Sequence, residues 1–266
     1  MGRNMRVIFV LTVSFLSTSM SVPAFAAGDA VLEEANIDPT NINSLQRGAR
    51  NFMNYCSGCH SARYVRFKTI GKYLELSEEQ LINNLMFNAE KTFETMDVSM
   101  RPGDAERWFG TVPPDLSLMA RSKGADYIFT FLKSFYLDAD SPTGVDNSVL
   151  AGTSMPHVLW ELQGYQSAIL TEHTETSEDG EEITTVHIDG FEPVTAGSMA
   201  VVTTGSMAAG DYNFDDFVRD TTNFLVYIAE PIRSDRRQLG VWVLMFLTFF
   251  WIIASMLKKQ IWKDVK

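Results

Sequence analysis

Cysteine is scarce in this chain. Its 266 residues contain only Cys56 and Cys59, separated by two positions. A structural zinc site needs four ligands, and no second cysteine pair exists to supply them. If both thiols hold a cofactor, no structural disulfide remains. Basic residues are also few, 22 against 33 acidic, for a net charge of −11. Such a surface repels nucleic acid and excludes that class of partner. Histidine occurs only four times. Apolar residues are not lacking: at 45% hydrophobic and 12% aromatic, disorder is not the expected state. The length suffices for one or two domains with a real core.

Charge is absent altogether from Leu239 to Leu257, a run of 19 residues. At about 1.5 Å per residue the run spans roughly 28 Å, close to a hydrocarbon core of about 30 Å. Trp242 and Trp262 suit interfacial positions. Arg233, Arg236 and Arg237 precede the run, and Lys258, Lys259, Lys263 and Lys266 follow it. Local charge therefore orients the helix only weakly, and the other end of the chain decides. Arg3 and Arg6, an apolar stretch from Val7 to Leu16, and Ala24-Phe25-Ala26 make a secretory signal peptide over residues 1–26. Residues 27–238 are then expected outside the cytoplasm, 239–257 in the membrane and 258–266 inside. The exported segment carries 16 basic and 32 acidic residues, net −16, a charge that suits a basic partner protein.

Periodicity predicts a mainly α chain. Asn43 is a candidate cap for a helix running through Leu45, Ala49 and Phe52 toward Tyr55. Ser77 and Gln80 form a capping box, with Leu76 and Leu81 as its hydrophobic staple, for a helix ending near Phe87. Arg101-Pro102-Gly103 and Pro113-Pro114 mark a region of turns. A third helix is expected from Ala125 to Phe135, then a loop over 137–157. Residues 171–208, rich in Thr, Glu, Ser and Gly, read as a surface insertion. It contains a small β-hairpin, with a strand at Ile183–Ile188 and a turn at Asp189-Gly190. A strong helix is expected from Phe214 to Ile228, its face formed by Phe217, Val218, Thr221, Phe224 and Leu225 and its end set by Pro231.

The chemistry lies in Cys56-Ser57-Gly58-Cys59-His60. Residues three apart on a helical turn face one way, so two thiols at this spacing can meet the two vinyl groups of one porphyrin. His60 then lies under the iron and offers an imidazole nitrogen. The pattern reads as covalent attachment of one haem c. A thioredoxin-like redox pair would want a parallel βαβ pattern, which does not surround it. The second axial ligand stays open on residues alone. Met155, in the loop Gly152-Thr153-Ser154-Met155-Pro156, comes first, and His157 and Met100 are further candidates. His173 and His187 fall in the polar insertion, while Met53 and Met86 read as core filler.

Longer segments carry a resemblance. RGARNFMNYCSGCHSARYVRF (47–67), MRPGDAERWFG (100–110), VPPDLSLMARSKGADYIF (112–129), GTSMP (152–156) and NFLVYIAEP (223–231) resemble the cytochrome c1 family, the haem subunits of the membrane quinol–cytochrome c reductase. The resemblance implies a cytochrome c-type haem domain with irregular loops and one C-terminal membrane helix. It implies Cys56 and Cys59 as the haem attachments, His60 as proximal ligand and Met155 as distal ligand. Pro114 would pack near the haem edge. Arg121 or Lys123 would pair with a haem propionate, with Tyr127 nearby. The implied role is electron transfer rather than catalysis. The iron–sulfur (Rieske) protein would reduce the haem beside cytochrome b, and a soluble or anchored cytochrome c would be the acceptor. The implied location is a bacterial inner membrane with the haem domain in the periplasm. Two alternatives are a stand-alone anchored carrier and a haem enzyme with an open distal site. The 171–208 insertion matches no motif of the family.

Overall fold

The computed structural model describes residues 31–176, 182–199 and 212–263. Residues 1–30 with the expected signal peptide, residues 177–181 and 200–208 of the insertion, residues 209–211 and the last three residues lie outside them. The chain divides into residues 1–31 and 32–266, and the account below concerns the second unit.

Helix α1 spans Ile42–Tyr55. Its cap is Asn41, not the expected Asn43: the Asn41 side chain accepts the Ser44 N–H at 3.2 Å, which satisfies one of the first-turn donors. Leu45, Ala49, Phe52 and Met53 are buried at helical spacing, as the pattern required. Strand β1 (Ala62–Arg66), helix α2 (Phe67–Tyr73), helix α3 (Glu78–Leu85) and the two-residue strand β2 (Thr95–Met96) follow. The capping box of α3 forms in both directions, Ser77 Oγ with the Gln80 N–H at 3.2 Å and Gln80 Oε1 with the Ser77 N–H at 2.9 Å. Pro102 was expected in a turn. It instead opens helix α4 (Pro102–Phe109) at its first position, where its missing N–H would have been unpaired anyway.

Helices α5 (Met119–Lys123) and α6 (Ala125–Lys133) come next. Phe135, assigned by periodicity to α6, belongs to strand β3 (Phe135–Leu137). The expected loop over 137–157 contains strand β4 (Val145–Asn147), antiparallel to β3. After the short α7 (Trp160–Gln163), strands β5 (Gln166–Thr176) and β6 (Glu182–Pro193) form an antiparallel ribbon. The hairpin is therefore present but begins before 171. Asp189-Gly190 is no turn. Ile169 pairs with Gly190 and Leu170 with Ile188, so Asp189 is the extra residue of a bulge inside β6.

Helix α8 spans Phe214–Ala229. One apolar face was expected, yet burial runs almost all the way round and includes Asp220, Thr222 and Asn223. The reason is packing on both sides, by α1 and by α5 and α6. Several polar side chains along the α1–α8 seam are paired across it. Asp220 accepts from Ser44 Oγ at 2.6 Å and from Arg47 Nε at 2.5 Å. Asn51 Nδ2 donates to the Phe217 carbonyl at 3.2 Å. Buried polar groups paired in this way fix a unique alignment of the helices.

Helix α9 (Arg233–Ile261) begins two residues beyond Pro231. Its stretch Gln238–Ile261 is long and apolar enough to cross a membrane, with a mean hydropathy of 2.2 and none of it buried. Trp242, Phe246, Trp251 and Leu257 are all exposed, which is costly in water and favourable in lipid.

The α1–α8 crossing leaves no room for a side chain at Gly48. A Cβ there would stand 2.1 Å from the Asp220 carbonyl oxygen, a backbone atom that cannot swing aside. At Gly71 the nearest atom is a Leu81 methyl at 2.9 Å, which can rotate. Gly48→Ala should therefore destabilise the fold by about 2 kcal/mol or more, and Gly71→Ala by much less. Thermal unfolding of the two variants side by side measures the difference.

Candidate functional site

The last turn of α1 continues into the Cys56–His60 turn. The Phe52 carbonyl accepts the N–H groups of Cys56 and Ser57, each at 2.9 Å. The Cys56 carbonyl then accepts from Cys59 at 3.1 Å and from His60 at 2.8 Å. Ser57 Oγ ties back to the Met53 carbonyl at 2.7 Å. The two half-buried thiols are thus presented by one compact turn fixed to a buried helix, and neither is in a disulfide. Burial, and secondly the neighbouring Cys59, pushes the Cys56 thiol up to about 12, and burial raises Cys59 as well. Both are neutral thiols at pH 7.

Residues 113–117 lie against this turn. Asp115 is their anchor. Its carboxylate accepts from Ser61 Oγ at 2.7 Å and from the N–H groups of Arg63 and Ser117, each at 2.9 Å. The Leu116 N–H reaches the Ser61 carbonyl at 2.8 Å, and Ser117 Oγ accepts the Tyr64 N–H at 3.1 Å. Partial burial would raise the Asp115 pKa. The hydrogen bonds from Arg63, Ser117 and Ser61 outweigh it and hold the carboxyl below its ordinary value.

This anchoring places the Pro114 carbonyl 2.8 Å from His60 Nδ1. A carbonyl can only accept, so Nδ1 carries the proton and Nε2 keeps its lone pair. Burial lowers the His60 pKa against smaller upward pulls from the Pro114 carbonyl and Asp115, so the ring is neutral at pH 7. A metal-ligating histidine requires that state, with that second partner.

Cys56, Cys59 and His60 open onto a cavity of about 420 Å³, within the range of cofactor pockets. Pro114, Lys123, Tyr127 and Met155 also line it, so seven of the eight residues singled out from sequence converge on one site. Arg121 does not line it: its guanidinium lies 4.0 Å from Glu230, which also pairs with Arg236 at the start of α9. Lys123 Nζ stands 5.2 Å over the Tyr127 ring, and Tyr127 stacks on Phe131. The rest of the lining is mostly apolar. Phe109, Leu116, Phe131, Leu132 and Leu150 contribute, as do Thr221 and Leu225 of α8. Periodicity put Thr221 and Leu225 on the α8 face, but spacing could not show what that face covers.

Of the other candidates for the iron, Met100 and His157 do not line the cavity, whereas Met119 does. The donor set fits a covalent haem: two thiols, one imidazole with a free nitrogen, a thioether and apolar walls.

The sequence profile of the Cytochrome C1 family matches residues 34–265. Cytochrome c1 of Allochromatium vinosum is 42% identical over 96% of this chain and 98% of its own length. The ammonia monooxygenase gamma subunit of Nitrosomonas europaea is 37% identical over 91% of this chain and 92% of its own length. The mitochondrial cytochrome c1 heme protein of Saccharomyces cerevisiae is 24% identical over 84% of this chain.

His157, two residues beyond Met155, is buried at 5% exposure and stacks on Phe135 with ring centroids 5.1 Å apart. Burial, against a smaller pull from the Gly164 backbone, lowers its pKa to about 4. Above about pH 6.5 neither folded nor unfolded chain is protonated there, and the group contributes nothing to the pH dependence. Below it the unfolded chain takes up a proton that the native state refuses. Stability should therefore fall by about 2–3 kcal/mol between pH 6.5 and 4. His157→Phe should flatten that part of the curve, as denaturant unfolding across this pH range would register.

Proposed function

The chain belongs to the cytochrome c1 family, and from that premise we propose that Cys56 and Cys59 carry its haem c, with His60 and Met155 as the axial ligands. The family's cofactor is one covalently attached haem c. The protein is an electron-transfer subunit of the cytochrome bc1 complex and not an enzyme by itself. The haem supplies one-electron iron redox chemistry. The chain's own residues bind, orient and shield it. Cys56 and Cys59 are the points of thioether attachment. His60 offers Nε2 because the Pro114 carbonyl holds the proton on Nδ1. Met155 offers a thioether, which raises the reduction potential relative to a second histidine. With both axial positions taken by side chains, no site remains for a substrate. The observation that carries this reading is the convergence of His60, both thiols and Met155 on one cavity.

Lys123 is the proposed propionate partner, since it lines the cavity while Arg121 faces Glu230. The proposed electron donor is the Rieske iron–sulfur protein beside cytochrome b. The proposed acceptor is a basic cytochrome c, soluble or anchored, drawn by the acidic segment 27–238. The proposed topology is a cleaved signal over 1–26, a periplasmic haem domain over 27–238 and a single inner-membrane pass at 239–257. Residues 258–266 are then cytoplasmic, an orientation that rests on the export signal.

On a denaturing gel the wild type should retain haem stain, and the Cys56→Ala, Cys59→Ala double variant should lose it. The reduced wild type should not bind carbon monoxide. Met155→Ala should bind it and Met119→Leu should not. Carbon monoxide binding by Met119→Leu alone would transfer the distal role to Met119. Lys123→Gln should shift the reduction potential while Arg121→Gln leaves it near the wild-type value. Purification in mild detergent should bring cytochrome b and a Rieske protein along, and their absence would sink the complex assignment.

A further inference from the structure

The wall of the cavity that carries Met155 is held by a side chain remote from the haem motif. Asp146, in β4, is 9% exposed. Its Oδ1 accepts from the Gly152 N–H at 2.8 Å and the Thr153 N–H at 3.2 Å, and its Oδ2 lies 3.0 Å from the same Gly152 nitrogen. Gly152 has φ +72°. A left-handed residue of this kind lets consecutive N–H groups converge in a concave nest that suits an anion, and here the protein's own carboxylate fills it. Thr153 Oγ1 then accepts the Met155 N–H at 3.4 Å. The adjacent Asn147 accepts from Val149 at 2.9 Å and Leu150 at 3.3 Å, and donates to the Phe131 carbonyl at 2.8 Å. Two neighbouring side chains of one short strand thus brace the backbone from 149 to 153, and Met155 follows directly.

We propose that Asp146 is a positioning residue for the distal ligand: by holding the Gly152 and Thr153 N–H groups it keeps the Met155 thioether on the haem iron and so sets how seldom the sixth position opens. This rests on Met155 being that ligand. A short loop offers few other bonds to hold a thioether against a neutral, weakly binding iron contact. Charge-assisted bonds to buried N–H groups are among the stronger constraints available. Asp146 does not itself line the cavity, and acts through the loop residues Gly152 and Thr153 that do.

The test compares Asp146→Ala, Asp146→Asn and Val145→Ala in the haem-loaded, full-length protein. Val145 is buried in the same strand at 4% exposure, and none of the loop bonds above involve its side chain. It reports loss of packing alone. The readouts are carbon monoxide binding to the reduced protein and the reduction potential. In Asp146→Ala the fraction of reduced protein that binds carbon monoxide should rise from the wild type's none to a readily measured share, with a lowered potential. In Asp146→Asn the rise should be smaller, because the amide oxygen still accepts but without charge. Val145→Ala should bind none. If Asp146→Ala yields no folded haem protein, Asp146→Asn decides on the same readouts. Wild-type behaviour of the folded aspartate variants overturns the proposal, as does equal carbon monoxide binding in Val145→Ala. Carbon monoxide binding by the wild type itself would instead overturn the Met155 assignment on which it stands.

Discussion

The close approach of α1 to α8 at Gly48 is the contact from which the rest of the haem domain is laid out. A side chain there would overlap the Asp220 carbonyl, so the two backbones meet at a distance only glycine permits. Phe52 and Phe224 pack beside the crossing with ring centroids 5.7 Å apart. The polar seam through Ser44, Arg47, Asn51 and Asp220 fixes the rotation of each helix about its axis. Sliding one helix along the other would leave Asp220 buried and unpaired, which is far costlier than a lost apolar contact. Each helix leaves this crossing with a task. The end of α1 presents Cys56, Cys59 and His60. The middle of α8 supplies Thr221 and Leu225 to the cavity wall, and its end leads through Pro231 into the exposed apolar helix.

Around that rigid pair, residues 113–117 and the loop over 149–155 are irregular and owe their shape to side-chain acceptors. Asp115 gathers donors from Ser61, Arg63 and Ser117, and so presents the Pro114 carbonyl to His60. Asp146 gathers the N–H groups of Gly152 and Thr153, which also line the cavity. Regular structure would satisfy such backbone groups within itself, but a segment that must bend around a flat cofactor cannot. A carboxylate with several lone-pair sites replaces the missing ladder. In a low-dielectric setting these bonds are stronger and their loss more damaging. An electron carrier gains from such stiffness, because ligands that move little between redox states keep reorganisation small.

Much of this was legible in the order of residues. The Cys-x-x-Cys-His spacing, the uncharged run at 239–257, the capping box at Ser77 and the α8 periodicity are local patterns, and each appears where the pattern put it. The misreadings were local too. Pro102 opens a helix because a first position tolerates a missing N–H. Asp189-Gly190 sits in a bulge because its partner strand continues past it. Asn41 rather than Asn43 caps α1 because its side chain is the one that meets the Ser44 N–H.

Sequence alone determined the chemistry that depends on neighbours along the chain: two thiols and an imidazole on one turn, and a helix with nothing polar to hide. It also delivered Met155 and the PPDLS segment as parts whose arrangement was implied only by resemblance. Tertiary structure alone decided what crosses between distant segments. It turned Lys123 toward the cavity and Arg121 toward Glu230, set the Pro114 carbonyl on His60 Nδ1, and brought Asp146 beneath the Met155 loop. Such pairings join residues as far apart in the chain as Arg121 and Glu230. They arise from how packed helices and buried acceptors share space, and no periodicity or spacing along the chain encodes that.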